Sequence, residues 1–403
     1  MLKKQLLTYR EELSRELDDI LKYWLKNTPD LKEGGFIGQI NEGGQVIAIA
    51  DKGSVLNARI LWSFSAAFNL TGDGFYLKYA ESAFKYINSY FIDKQFGGVY
   101  WSVNYKGIKQ NAKKQIYASA FTIYGFAEYY RATRISSVLD IAISLYETVI
   151  EKSLDQENGG YFEAFSETWS PIDDLRLSQK DVNVQKSMNT NLHVLEAFSN
   201  LYSIWPDKDL KNHISSLLTN FSDHIIYPGL NCQVLFFDNK WNPKSTTVSY
   251  GHDIEASWLL LEAAEIIGET DLIENFKVQA LKLASQAMVG LDTDGGLFYE
   301  YEPENKMLIG EKHWWVQAEA MVGFFNAWEI SNKNIFLDAS LKCWQFTQKY
   351  ILDKNRGEWY WGVGADHSPM IGQDKVGIWK CPYHNTRACI ELIRRISINP
   401  VIR

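Results

Sequence analysis

Cysteine is scarce: Cys232, Cys343, Cys381 and Cys389 are the only four in 403 residues, and no two stand in CxxC spacing. A disulfide framework and a thiolate zinc site are thereby excluded, and reduced thiols are expected. Proline is also scarce, with 9 residues, and no Pro/Ser-rich stretch marks a linker, so one repeat-built catalytic domain over residues 1–403 is expected. Basic charge is outweighed, 41 Lys and Arg against 49 Asp and Glu for a net charge of −8. No positive field exists to gather phosphates, and nucleic acid is not an expected partner. No run approaches about 18 uninterrupted apolar residues, so no membrane span is expected. The opening MLKKQLLTYREELSRELDD spreads charge through a helical period and lacks the apolar centre of a secretory signal, which points to the cytoplasm. GxGxxG, GxxxxGK[ST] and GxSxG are all missing, which removes the dinucleotide, P-loop and nucleophile-elbow chemistries.

Aromatic side chains, in contrast, are abundant: 14 Trp, 22 Tyr and 21 Phe make up 14% of the chain. Bulky helix packing accounts for part of this. The remainder suits a pocket for sugars, whose apolar C–H faces lie well against rings.

The chain repeats six times. An amphipathic stretch runs into a glycine-marked turn: EGGFIGQI, FGGVYWSV, NGGYFEAF, a degenerate PGLNCQVLFF, DGGLFYEY and RGEWYWGV. Successive turns are roughly 60–70 residues apart, a spacing that accommodates a helical hairpin with a long loop. The stretch before each turn (6–24, 76–91, 138–150, 210–225, 272–289, 335–351) has one apolar stripe and a charged opposite face, as an outer helix should. The stretch after it is apolar nearly all round, as an inner helix should be. Runs such as VYWSV and LFYEY read as short hairpin strands. The expected fold is all-α, an (α/α)6 barrel of six inner and six outer helices with short β-hairpins in the loops.

Polar residues interrupt each inner helix near its start: Asn57 and Arg59; Gln115, Tyr117 and Ser119; Asn189, Asn191 and His193; His252 and Glu255; His313, Gln317 and Glu319; His384, Asn385 and Arg387. Parallel inner helices would bring all six sets to one end of a central cavity. Buried charge is costly unless it is paired or functional, so the coincidence points to a site, with a hydrogen-bonded structural collar as the alternative. Four of the seven histidines fall in these sets, and imidazole is the side chain that exchanges protons near neutral pH. His213, His224 and His367 fall elsewhere and have no expected role. His252 and Glu255 are three apart, hence on one helical face, where the carboxylate could fix the imidazole tautomer. Arg59 and Arg387 could hold a developing oxyanion or serve structural ion pairs. Trp258, Trp315 and Trp379 are candidate stacking platforms, whereas Trp314, about 100° round the helix from Trp315, is expected to pack. His and Glu are acceptable metal ligands, but HExxH or a comparable clustered spacing is missing. Cofactor-free and metal-free proton transfer is the expected chemistry.

The segments NARILWSF, MNTNLHVLEAF, SYGHDIEASWLL, HWWVQAEAMVGF and KCPYHNTRACIE resemble the N-acylglucosamine 2-epimerase superfamily and, within it, the cellobiose 2-epimerases. The resemblance implies an (α/α)6 barrel that inverts C2 of the reducing-end glucose in β-1,4-linked disaccharides through a cis-enediolate. It further implies that His384 and His252 are the acid/base pair, with Glu255 orienting His252. His193 would hydrogen-bond the reacting oxygens and Arg59 would stabilise them. Tyr117, Asn189, Trp258, Trp315, Glu319 and Trp379 correspond to sugar-binding positions, and His313 has no counterpart role. The expected partner is a disaccharide such as cellobiose or lactose, and a monomer is expected. Mannose isomerase and N-acylglucosamine 2-epimerase activities of the same superfamily stay open. So does an (α/α)6 glycoside hydrolase, which would need a carboxylate pair such as Glu255 and Glu319, and so does a sugar-binding protein without catalysis.

Overall fold

The computed structural model describes residues 1–227 and 229–402, so Pro228 of the fourth turn and Arg403 lie outside the described residues. Twelve α-helices occur among the described residues. They are α1 (Leu2–Asn27), α2 (Ser54–Thr71), α3 (Gly74–Tyr86), α4 (Ile116–Thr133), α5 (Ser136–Ser153) and α6 (Met188–Tyr202). The second half has α7 (Lys208–Asn220), α8 (Tyr250–Ile267), α9 (Thr270–Ala287), α10 (Trp314–Ser331), α11 (Asn334–Phe346) and α12 (Tyr383–Ile398). The even-numbered helices pack in sequence α2–α4–α6–α8–α10–α12 and close from α12 back to α2. The odd-numbered ones lie outside. This is the (α/α)6 barrel.

Burial separates the two rings as the hydrophobic pattern requires. In α2 every residue from Ser54 to Ala67 is buried, whereas α5 buries a single stripe through Val138, Ala142, Leu145 and Val149. Two inner-helix glycines permit close packing. A Cβ on Gly125 would come within 2.8 Å of the Ala58 carbonyl oxygen, and one on Gly323 within 2.5 Å of that of Ile254. The ring is tied where its ends meet: α1 packs on α12, and Trp344 Nε1 donates to Glu12 at 2.8 Å.

The glycine turns all lie beside the starts of inner helices, and a buried lysine holds most of them. Lys52, Lys114, Lys186 and Lys312 each stand two residues before an inner helix. Their ammonium groups meet Asp30 at 2.7 Å, Asp93 at 2.5 Å, Asp155 at 2.7 Å and Asp292 at 2.6 Å. Lys52 and Lys186 also donate to the Gly34 and Gly159 carbonyls, both at 2.7 Å. In the fourth unit Val248 takes the lysine's place. Two of the expected hairpins form, Ser102–Val103 with Lys109–Asn111 and Glu300–Glu302 with Met307–Ile309, while the glycine turns themselves are closed by single bridges, such as Ile92 with Val99. The two-residue strand before an inner helix pairs with the next unit, as Lys312–His313 does with Gly362–Val363. Neighbouring units are thus stitched together at the end of the barrel where the inner helices begin.

Candidate active site

A cavity of about 390 Å³ opens at that end, and all six inner helices contribute to its wall. Arg59 comes from α2, Tyr117 from α4, Asn189 and His193 from α6, His252 and Glu255 from α8, Trp314 and Trp315 from α10, and His384 from α12. His313, just before α10, completes the histidine set. The polar clusters divide between cavity and collar. Asn57 donates to the Gly53 carbonyl at 2.8 Å, Asn191 accepts from the Tyr161 N–H at 2.9 Å, and Gln317 accepts from Leu297 N–H and donates to its carbonyl, each at 2.8 Å. Asn385 donates to Glu358 at 2.8 Å. These side chains hold the loops, so the collar alternative describes them correctly. Gln115 anchors a cavity loop through the Arg176 carbonyl at 2.8 Å.

Beneath the cavity floor a network centres on Arg387. Its Nη2 donates to Glu255 at 2.7 Å and Glu319 at 2.6 Å, and its Nη1 to Glu196 and the Tyr383 hydroxyl. The spatial cluster Glu255, Glu319 and His384 has the donor set of a metal site. The positive charge between its two carboxylates is the guanidinium, held by charge-assisted hydrogen bonds. Arg387 is therefore a structural ion-pair residue.

The four cavity histidines have different partners. His384 Nδ1 lies 2.7 Å from Glu319 Oε1, and His193 Nδ1 lies 2.8 Å from Glu196 Oε2. A carboxylate only accepts, so each ring carries its proton on Nδ1 and leaves Nε2 basic. Burial opposes ionisation of Glu196, but Arg387 and His193 outweigh it and pull its pKa down to about 2. His252 Nδ1 meets Ser249 Oγ at 2.8 Å, a partner able to give or accept. Burial lowers the pKa of all four imidazoles, for His252 to about 3, with His193 adding to the effect. His252 and His384 both lie against Trp315, with ring centroids 4.8 and 5.8 Å away.

Arg59 is the charged residue that α2 contributes to the wall. Its Nη2 donates to the Tyr117 hydroxyl at 2.7 Å, and its guanidinium stacks over Phe121 at 4.1 Å. Among the described residues no carboxylate pairs with it, although it is only 3% exposed. A buried cation without a counterion at a cavity wall is suited to an oxyanion.

Several sequence expectations need correction. Glu255 does not orient His252; it is committed to Arg387, and Ser249 orients the imidazole. The His-x-x-Glu pairing is realised one inner helix earlier, by His193 and Glu196, which spacing alone could have singled out. Trp258 is not a stacking platform, because it is 1% exposed and its Nε1 donates to Glu319 at 3.1 Å. Glu319 is not at the sugar surface; it lies under His384, 1% exposed. Trp314 packs on Trp361 at 4.5 Å, as expected, yet also lines the cavity. Tyr299, Trp361, Gln373 and the loop 177–181 line the cavity too; they come from segments without helical period, where the sequence carried no signal. His213, His224 and His367 do not line it. All four cysteines are free and buried.

The comparisons with known proteins agree with this architecture. The family model described as N-acylglucosamine 2-epimerase (GlcNAc 2-epimerase) matches residues 35–388. The chain is 44% identical over 385 residues to the cellobiose 2-epimerase of Bacteroides fragilis, covering 95% of this chain and 98% of that one. The solved structure of the cellobiose 2-epimerase from Bacillus thermoamylovorans superposes with a TM-score of 0.93 at 38% identity, covering 96% of this chain and 99% of that one. The D-mannose isomerase of Marinomonas mediterranea is more distant, 23% identical over 91% of this chain and 92% of its own length. With a cavity walled by paired histidines at the mouth of this barrel, the chain belongs to the N-acylglucosamine 2-epimerase family and, within it, stands with the cellobiose 2-epimerases.

Proposed function

We infer that the chain is a carbohydrate isomerase, a cellobiose 2-epimerase. It reversibly inverts C2 of the reducing-end glucose in β-1,4-linked disaccharides, taking cellobiose to glucosyl-mannose and lactose to epilactose. The observation that carries the reading is a pair of imidazoles from the two helices that flank α10, His252 on α8 and His384 on α12, both against Trp315 and facing one cavity. A planar intermediate that must be protonated on either face needs a proton-transfer group for each face.

In this reading the reducing sugar opens to its aldehyde. One imidazole takes the C2 proton through Nε2, and the electron pair moves onto the carbonyl oxygen, giving a cis-enediolate. Arg59, Tyr117 and His193 stabilise the oxygens, with Arg59 supplying the charge. The first imidazolium passes its proton to the enediolate oxygen, where it exchanges with solvent. After rotation about C2–C3 the second imidazole takes a proton from that oxygen and delivers it to the opposite face of C2. Both imidazoles begin and end neutral, in keeping with their lowered pKa values. Asn189, Trp315 and Trp379 bind the sugar, while Glu255 and Glu319 act through Arg387 and His384. No step calls for a metal or an organic cofactor. We further propose that residues 1–403 act as one catalytic domain, as a monomer in the cytoplasm; among the described residues no helix is long and apolar enough to cross a membrane.

NMR of chelator-treated protein with cellobiose in D2O tests the reading. Glucosyl-mannose carrying deuterium at C2 is expected. Release of free glucose would establish a hydrolase instead. Unchanged cellobiose with conversion of mannose or N-acylglucosamine would move the chain to another activity of its superfamily.

A further inference from the structure

One histidine of the cavity wall has no part in the proton transfer above. His313 is 2% exposed and lines the cavity. Its Nε2 lies 2.8 Å from Glu311 Oε2, and its ring stacks on Tyr299 with centroids 4.0 Å apart and planes 22° from parallel. The backbone is fixed as well, since His313 pairs in register with Gly362. The carboxylate of Glu311 can only accept, so the proton sits on Nε2 and Nδ1 is left as an acceptor. A ring locked in position, tautomer and stacking is more than packing needs, and the charged groups around it, Glu311 and Lys180, lie on the cavity's loops.

Its place in the wall gives the direction of that acceptor's use. Arg59, Tyr117 and His193 form one contact group, through the Arg59–Tyr117 hydrogen bond and the 5.1 Å Tyr117–His193 ring contact. Tyr299, His313 and Trp361 form another, joined to the reacting pair through Trp315, which lies 6.3 Å from Tyr299. If the enediolate oxygens face Arg59, the sugar beyond the reacting carbons extends toward the second group. We propose that His313, held by Glu311, is a specificity-determining residue that accepts a hydrogen bond from a hydroxyl of the second, non-reacting sugar unit. The proposal rests on the epimerase reading for the placement of the first unit.

The test is calorimetric binding of two unreactive reduced sugars, cellobiitol and sorbitol, to the wild type, His313→Ala and His313→Asn. Cellobiitol carries the second unit and sorbitol lacks it. His313→Ala is expected to weaken cellobiitol about tenfold, the loss of roughly one hydrogen bond, and to leave sorbitol unchanged. His313→Asn, whose amide oxygen can stand near the former Nδ1, is expected to stay within about threefold of the wild type for both. Unchanged cellobiitol affinity in His313→Ala, equal weakening of both sugars, or no wild-type affinity for cellobiitol would overturn the proposal. The first of these outcomes would place the second unit against Trp379 instead. Turnover of cellobiose by the same wild-type preparation is read separately. A protein that binds cellobiitol through His313 without epimerising cellobiose would defeat the reaction assignment and leave the binding role intact.

Discussion

His384 Nδ1 and Glu319 Oε1 are 2.7 Å apart, and that same carboxylate oxygen also accepts from Arg387 at 2.6 Å. The contact joins a cavity imidazole to the guanidinium of the floor network, so the tautomer of His384 is set from below the cavity.

Removing the carboxylate's exclusive acceptor character should therefore impair chemistry more than binding. Glu319→Gln is expected to lower kcat by about 10²-fold or more, as when the orienting acid of an imidazole is replaced, with KM changed less than threefold. Initial rates of glucosyl-mannose formation measure both. A rise in KM at constant kcat would show that Glu319 binds sugar after all.

Loss of one imidazole should uncouple exchange from inversion. His252→Ala and His384→Ala are each expected to lose epimerisation by about 10²–10⁴-fold. Each should still exchange the C2 proton of one epimer with D2O, and the two variants should favour different epimers. Proton NMR of cellobiose and glucosyl-mannose, each incubated alone with each variant, reads this directly. Exchange of both epimers by a single variant would mean that one group serves both faces.

The pH profile follows from the direction of the shifts. Burial lowers the pKa of His252 to about 3 and that of His384 well below its ordinary value of 6.5. A base fails when protonated, below its pKa, so the acidic limb of kcat/KM is moved down and activity should be level across about pH 5.5–8. A half-maximal point near 6.5 would show that the imidazoles titrate as if in water.

A fourth expectation concerns the unit that lost its lysine. Asp253 is the fourth residue of α8, the position held by Asn191 in α6 and Gln317 in α10. Its Oδ1 accepts from the Gln233 N–H at 2.8 Å, but Oδ2 has no partner, where Asn and Gln would place a donor. Burial raises its pKa to about 7, against the hydrogen bonds from Gln233; Cys232 and Tyr250 are the titratable groups beside it. The unfolded chain releases this proton near pH 4 and the folded chain near pH 7, so the native state is progressively penalised across that window. Asp253→Asn should leave the melting temperature unchanged at pH 4 and raise it by about 2–4 °C at pH 8. Equal effects at both pH values would refute protonation as the cause.

The barrel was legible because its two rings differ in composition: helices such as α2 and α8 are apolar on all sides, and helices such as α5 on one stripe. The cavity wall was legible for Arg59, Tyr117, Asn189, His193, His252 and His384, since each is a polar break in such a helix. Partnerships were not. Glu255 stands in the right helical register for His252, yet Arg387, more than 100 residues along the chain, draws it away. Trp258 and Glu319 are on the right helices but point below the floor. No pattern within one helix can say which side of a neighbouring helix a side chain will face. Tyr299 and Trp361 reach the wall from turns, and their position depends on strands pairing between units.

Since every inner helix supplies part of the cavity wall, the ring has no spare segment. Duplicating or deleting one helical pair would change the circumference and pull His252 and His384 out of their shared contact with Trp315. Divergence in such a molecule is channelled into the connecting segments at the open rim, where length and sequence can change while the six-part frame keeps its gauge.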